Sequence, residues 1–138
     1  MLKLSLHGPF QWLTADALDY LFSSQIVDQP GIYLWTVPHS EGDPVYYVGE
    51  TGRPFRKRLE EHLVSYLSGM YRIYEPTEFA KGRKRIVWGG MWRKPGLAQA
   101  PEYLERSAEL APAVRELLGL LRFYLLPYDG ESRPRDTD

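Results

Sequence analysis

Apolar positions along the chain change period several times, and each change marks an element. Leu2-Lys-Leu-Ser-Leu6 alternates and predicts a short strand that Gly8-Pro9 would break. Thr14 stands where an N-cap belongs, ahead of Leu18, Leu21 and Phe22 on one helical face. Asp28-Gln-Pro-Gly31 is turn chemistry. Ile32-Tyr-Leu-Trp-Thr-Val37 is β-branched and aromatic, hence a strand. A polar loop, Pro38 to Pro44, leads to a second strand, Val45-Tyr-Tyr-Val48. The short connection makes an antiparallel hairpin the expected pairing.

After Thr51-Gly-Arg-Pro54 the period becomes helical. Phe55, Leu59, Leu63, Tyr66 and Met70 form an apolar stripe, and Pro54 suits the first turn. No period is sustained from Tyr71 to Gln99. That segment reads as an irregular basic insertion with one short strand near Ile86-Val-Trp88. Glu102 to Leu121 is helical, with an interruption expected at Pro112. Arg122-Phe-Tyr-Leu-Leu-Pro127 reads as the last strand, and Glu131 to Asp138 as a frayed polar tail. The expected fold is α+β: a small three-stranded antiparallel sheet flanked by helices. One domain is expected over residues 1–138, with 71–99 inserted.

Composition narrows the functional classes. Cysteine is absent, which excludes disulfides and Cys-ligated zinc. The sequence has no apolar run long enough to span a membrane, and its apolar start is too short for a secretory signal, so a cytoplasmic protein with no membrane partner is expected. The net charge of −1 conceals a strong asymmetry. Arg53 to Lys94 holds 11 Lys and Arg against 4 Asp and Glu, a net of +7, and the remainder holds 6 against 14, a net of −8. A basic centre points to an anionic partner such as nucleic acid.

Four residues then suggest chemistry. Tyr33 and Tyr47 lie on neighbouring strands and can face one side of the hairpin. Arg58 and His62 are four apart and share a helix face beside the apolar stripe, where half-burial is expected. This set suits phosphodiester hydrolysis. Arginine offers a permanently charged fork to phosphate oxygens. A tyrosine can take a proton from the attacking water, provided positive charge or a relay offsets its ordinary pKa of about 10. Histidine is a natural relay. The spacing carries the signal, because each residue alone is most simply a packed phenol, a surface cation or a structural histidine.

Gly31-Ile-Tyr33, Tyr47-Val-Gly49, Arg58 and His62 together resemble the GIY-YIG nuclease family. The resemblance is close over about a quarter of the chain, with looser agreement in strand order beyond it. It implies a DNA endonuclease in which Tyr33 is the general base, Tyr47 orients the water or scissile phosphate, Arg58 stabilises the phosphorane-like state, and His62 lies near the first tyrosine. Members serve in excision repair, in mobile elements as homing endonucleases, in restriction and in resolving branched DNA. The family also uses a divalent cation, usually Mg²⁺, held by one Glu on a helix after the third strand. If Arg122–Pro127 is that strand, only Glu131 follows it, and the chain is expected to stop before the helix. If Arg85–Trp88 is that strand, Glu102, Glu105 or Glu109 supplies the ligand. A third reading is a domain that binds DNA without cutting.

Arg53, Lys57, Lys81, Arg83, Lys84 and Arg85 are the candidates for phosphate contacts, with a solvated surface as the plain alternative. Trp88 and Trp92 are expected in the core, with base stacking as the less common use. Gly31 and Gly49 are expected to serve strand-end geometry, and Glu50 to sit solvated at the hairpin end.

Overall fold

The computed structural model describes residues 5–38, 44–92 and 96–128. In chain order the elements are β1 (His7–Phe10), β2 (Gly31–Thr36), β3 (Val45–Thr51), α1 (Phe55–Leu67), β4 (Ile73–Tyr74), α2 (Pro76–Ala80), β5 (Ile86–Trp88), α3 (Ala100–Glu105), α4 (Ser107–Leu120) and β6 (Arg122–Pro127). The fold is α+β. Two compact units are present, Met1–Glu60 with Leu121–Asp138, and Glu61–Leu120. The division falls within α1.

The first unit is built on an antiparallel sheet in the order β1-β6-β2-β3. The predicted hairpin is present, and Arg122–Pro127 is the strand that joins it. Ile86–Trp88 pairs elsewhere. A fourth strand, β1, extends the expected three. It begins at His7 and runs through Gly8-Pro9, the point at which a break was expected. Proline is tolerated there because β1 is an edge strand, where a missing N–H need cost no ladder bond. Most of the predicted Leu2–Leu6 strand lies outside the described residues.

Register sorts the sheet into two faces. Tyr33 lies opposite Gly49 on β3 and Leu125 on β6, and Trp35 lies opposite Tyr47 and Phe123. Directly opposed residues share a face, so these six point one way and Ile32, Leu34, Val48, Glu50, Tyr124 and Leu126 the other. The first face is the core. Tyr33, Trp35, Phe123 and Leu125 are buried, with Trp12, Val27, Phe55 and Leu59. Trp12 packs on Phe123 at 4.3 Å between ring centroids and edge-on to Trp35 at 5.6 Å.

The helix expected after Thr14 does not form. Thr14 Oγ1 accepts from Asp16 N at 3.0 Å, but Asp16 Oδ1 then accepts from Leu18 N at 2.9 Å. Short polar side chains thus satisfy the backbone locally and compete with a helix. Two 3₁₀ turns follow, Leu21–Ser23 and Gln25–Asp28, and Leu18 is 87% exposed.

In the second unit, the stretch expected to be irregular holds the expected strand near Ile86–Trp88 together with a second strand and a short helix. β4 and β5 form a two-stranded antiparallel sheet joined through α2. The Glu75 carboxylate caps α2 by accepting from Thr77 N at 3.1 Å and Glu78 N at 2.7 Å. Trp88 is buried, and its indole N–H donates to Gly69 O at 2.8 Å. The helical break comes at Arg106, not Pro112. Arg106 donates to Val87 O at 3.0 Å and to Glu109 Oε1 at 2.7 Å. Pro112 sits inside α4, where it removes one helical donor. Ala108, whose carbonyl loses that donor, is exposed, so water can replace it. Among the described residues no helix is long and apolar enough to cross a membrane.

Leu125 is fully buried opposite Tyr33. Leu125→Ala is therefore expected to lower stability by about 2–5 kcal/mol, read as a shifted urea midpoint with an unchanged slope.

Candidate functional site

Tyr33, Tyr47 and Arg58 come together in the first unit. Tyr33 is 1% exposed and Tyr47, on the edge strand β3, is 39% exposed. Their ring centroids are 6.1 Å apart. Phe55 meets the Tyr33 ring edge-on at 6.5 Å. Arg58, one turn after Phe55 on α1, is half-buried as expected and donates to the Tyr33 phenol oxygen. The Tyr33 hydroxyl in turn shares its proton with Tyr47. The arrangement runs from a half-buried arginine through a buried phenol to a phenol facing solvent.

Gly49 makes room for it. The Tyr33 ring lies across Gly49, and a Cβ there would come within 2.5 Å of ring Cε2, nearer still to Cζ and the hydroxyl. Gly49 has no positive φ, so its cause is this close approach and not the strand-end geometry expected of it. Gly31 does follow that expectation, with φ of +151°.

Burial is the dominant influence on Tyr33 and pushes its phenol well above the ordinary range. The Arg58 guanidinium opposes this, and Tyr47, by sharing the proton, adds to it. At neutral pH Tyr33 therefore holds its proton. The positive charge required for a tyrosinate base is present but is outweighed, so Tyr33 can accept a proton only while passing its own on.

His62 belongs to the second unit and is 3% exposed, more deeply buried than the half-buried position expected. It occupies the apolar stripe itself, since Phe55, Leu59, His62 and Tyr66 are the buried positions of α1. Leu63 is half-buried, and Met70 lies beyond the helix. The His62 Nδ1 is 2.7 Å from the Tyr71 hydroxyl, and Tyr71 meets Tyr66 edge-on. Tyr71 escaped sequence reasoning because it follows the helix past a turn and shares no period with it.

The phosphate-contact candidates divide between the units. Arg53 and Lys57 are in the first. Thr51 Oγ1 accepts from Arg53 N at 3.0 Å, which sets the turn into α1, and Lys57 is exposed. Lys81, Arg83, Lys84 and Arg85 are in the second and all exposed, with Arg83 paired to Glu78 at 3.2 Å. Trp92 is 54% exposed, against the core position expected. Glu50 is half-buried and accepts from the Tyr128 hydroxyl at 2.5 Å, which corrects the expectation of a solvated hairpin end.

The implied Mg²⁺ finds no matching carboxylate here. Glu50 is the hairpin's carboxylate among the described residues, and its register opposite Ile32 puts it on the face away from Tyr33. Glu102, Glu105 and Glu109 precede β6, whereas the resemblance requires a Glu after the third strand. Glu131 lies outside the described residues. Among the described residues no three His, Asp or Glu side chains converge. Among the described residues none after β6 is a Glu. Compared with protein-family models, curated proteins and solved structures, the chain has no match.

Two outcomes are expected. Gly49→Ala should cost about 1–3 kcal/mol through forced displacement of Tyr33, and most of that loss should vanish in a Tyr33→Ala background, read as a double-mutant cycle. The second concerns alkaline pH. A phenol raised on folding stabilises the fold below its unfolded pKa of about 10, and this stability is lost as pH climbs from there toward the folded value. Wild-type stability should fall above pH ~10 by up to about 1.4 kcal/mol per pH unit more than that of Tyr33→Phe. Equal slopes in urea melts would mean that Tyr33 ionises freely.

Proposed function

We propose that the chain is a DNA endonuclease of the GIY-YIG kind, hydrolysing phosphodiester bonds at Tyr33, Tyr47 and Arg58. The observation that carries this reading is the hydrogen-bonded series from Arg58 through Tyr33 to Tyr47. Water attacks the phosphorus, and Tyr33 accepts its proton while handing its own to Tyr47. Tyr47, being partly exposed, releases a proton to solvent. The bond to the water oxygen forms as the bond to the 3′ oxygen breaks, and the departing oxygen takes a proton from solvent. Arg58 balances the charge that builds on the pentavalent phosphorus, the step at which a fixed cation contributes most. The raised pKa of Tyr33 suits a relay better than a standing base, because a relay never requires free tyrosinate.

A second reading is a DNA-binding module that does not cut. It is motivated by the metal-binding Glu that the resemblance implies, which none of the described residues after β6 supplies.

Cleavage of supercoiled plasmid and branched DNA with Mg²⁺, with and without EDTA, separates the two and tests the metal dependence that the resemblance implies. Arg58→Ala is expected to lower the rate about 10²–10³-fold, and Tyr33→Phe at least 10²-fold. Cutting undiminished by either change would sink the assignment. Salt-dependent binding with no cutting by the unaltered chain would favour the binding module.

A further inference from the structure

A basic loop in the second unit has no part in the chemistry above, and its shape is fixed from both ends. At the end of α2, Gly82 N donates to Phe79 O at 3.0 Å and Arg83 N to Glu78 O at 2.9 Å. Gly82 has φ of +85°, which completes a Schellman motif. The Arg83 side chain folds back onto Glu78. At the other end Glu75, whose carboxylate caps α2, donates its backbone N–H to Arg85 O at 2.7 Å. Lys81, Lys84 and Arg85 thus leave a clamped loop from defined positions, all exposed.

The same stretch of chain then presents an aromatic. β5 leads through buried Trp88 to Trp92, which is 54% exposed, whereas Trp12, Trp35 and Trp88 are 2%, 3% and 4% exposed. From Arg85 to Gly89, extended chain spans about 13 Å. Cations therefore precede this strand and an exposed indole follows it. Cations alone would suit any polyanion. An indole adds a requirement, because base faces inside a duplex are covered by their neighbours and only an unpaired base can stack on it.

We infer that this arm binds an unpaired stretch of DNA, with Lys81, Lys84 and Arg85 on phosphates and Trp92 stacked on a base. The choice of DNA rests on the nuclease reading, and the substrate class it adds is DNA with a single-stranded portion. Binding by the arm is independent of the bond-breaking residues.

The test is a fluorescence titration of the full chain carrying Arg58→Ala, in EDTA, with oligo-dT and with a duplex of equal length. Oligo-dT is expected to quench the exposed tryptophan and to bind more tightly than the duplex. Its affinity should fall with salt, and Lys81→Gln/Lys84→Gln/Arg85→Gln should reduce the logarithmic salt slope by about 2, near 0.7 for each of three phosphates. Trp92→Leu should abolish the quench and weaken oligo-dT about tenfold with the slope kept. Far-UV circular dichroism checks that both variants fold. Equal affinity for duplex and oligo-dT, an unquenched Trp92, or a slope unchanged in the triple variant would each overturn the inference. Cleavage is not measured here, so failure of the arm and failure of the nuclease reading are read in different assays.

Discussion

The Tyr33 ring lying across Gly49 is the contact on which the first unit's geometry depends. It requires β2 and β3 to be paired in one register, because a slip of one residue would turn Tyr33 to the opposite face. It also requires a residue without a side chain beneath the ring. Once that register is set, Trp35, Tyr47, Phe123 and Leu125 fall on the same face, and Phe55 on α1 closes against the phenol. The burial that keeps the sheet folded is thus the burial that raises the Tyr33 phenol. Stability and the raised phenol share one cause.

Much of this was legible from the residues in order. Ile32–Val37 and Val45–Val48 announced the hairpin by β-branched and aromatic composition, and Phe123-Tyr-Leu-Leu announced the strand that joins it. Strand pairing put Tyr33 and Tyr47 on one face and helical spacing put Arg58 beside the apolar stripe, both local rules, whereas the meeting of Tyr33 with Arg58 was an expectation of the resemblance. What escaped lacks such a rule. Glu50 and Tyr128 are 78 residues apart and meet through the sheet order. Tyr71 meets His62 around a turn. The function of Gly49 depended on which side chain lay across it, and pairing alone did not reveal that.

The misread elements share a second reason: short polar side chains and prolines read differently once their neighbours are known. Asp16 satisfies the backbone N–H of Leu18 and ends the helix expected after Thr14. Pro9 is compatible with a strand because β1 is at an edge. Pro112 is compatible with a helix because the carbonyl that loses its donor belongs to exposed Ala108. In β4, α2 and β5 the elements are too short to establish a period, and their order comes from the Glu75 cap and the Trp88 bond to Gly69.

A phenol that keeps its proton bears on how the proposed catalytic cluster would work. A lone buried tyrosine would have to ionise against its surroundings, and the nearby guanidinium compensates only in part. Joined to Tyr47, the same phenol can gain one proton while losing another, so its charge never changes. In the relay proposed above, the cost of burial then falls on neither the resting state nor the reacting one. The exposed end of the series must be a group that solvent can reach, and β3 meets that condition by being the edge strand. For that proposed relay the hydroxyl farthest from the core is therefore as necessary as the one within it.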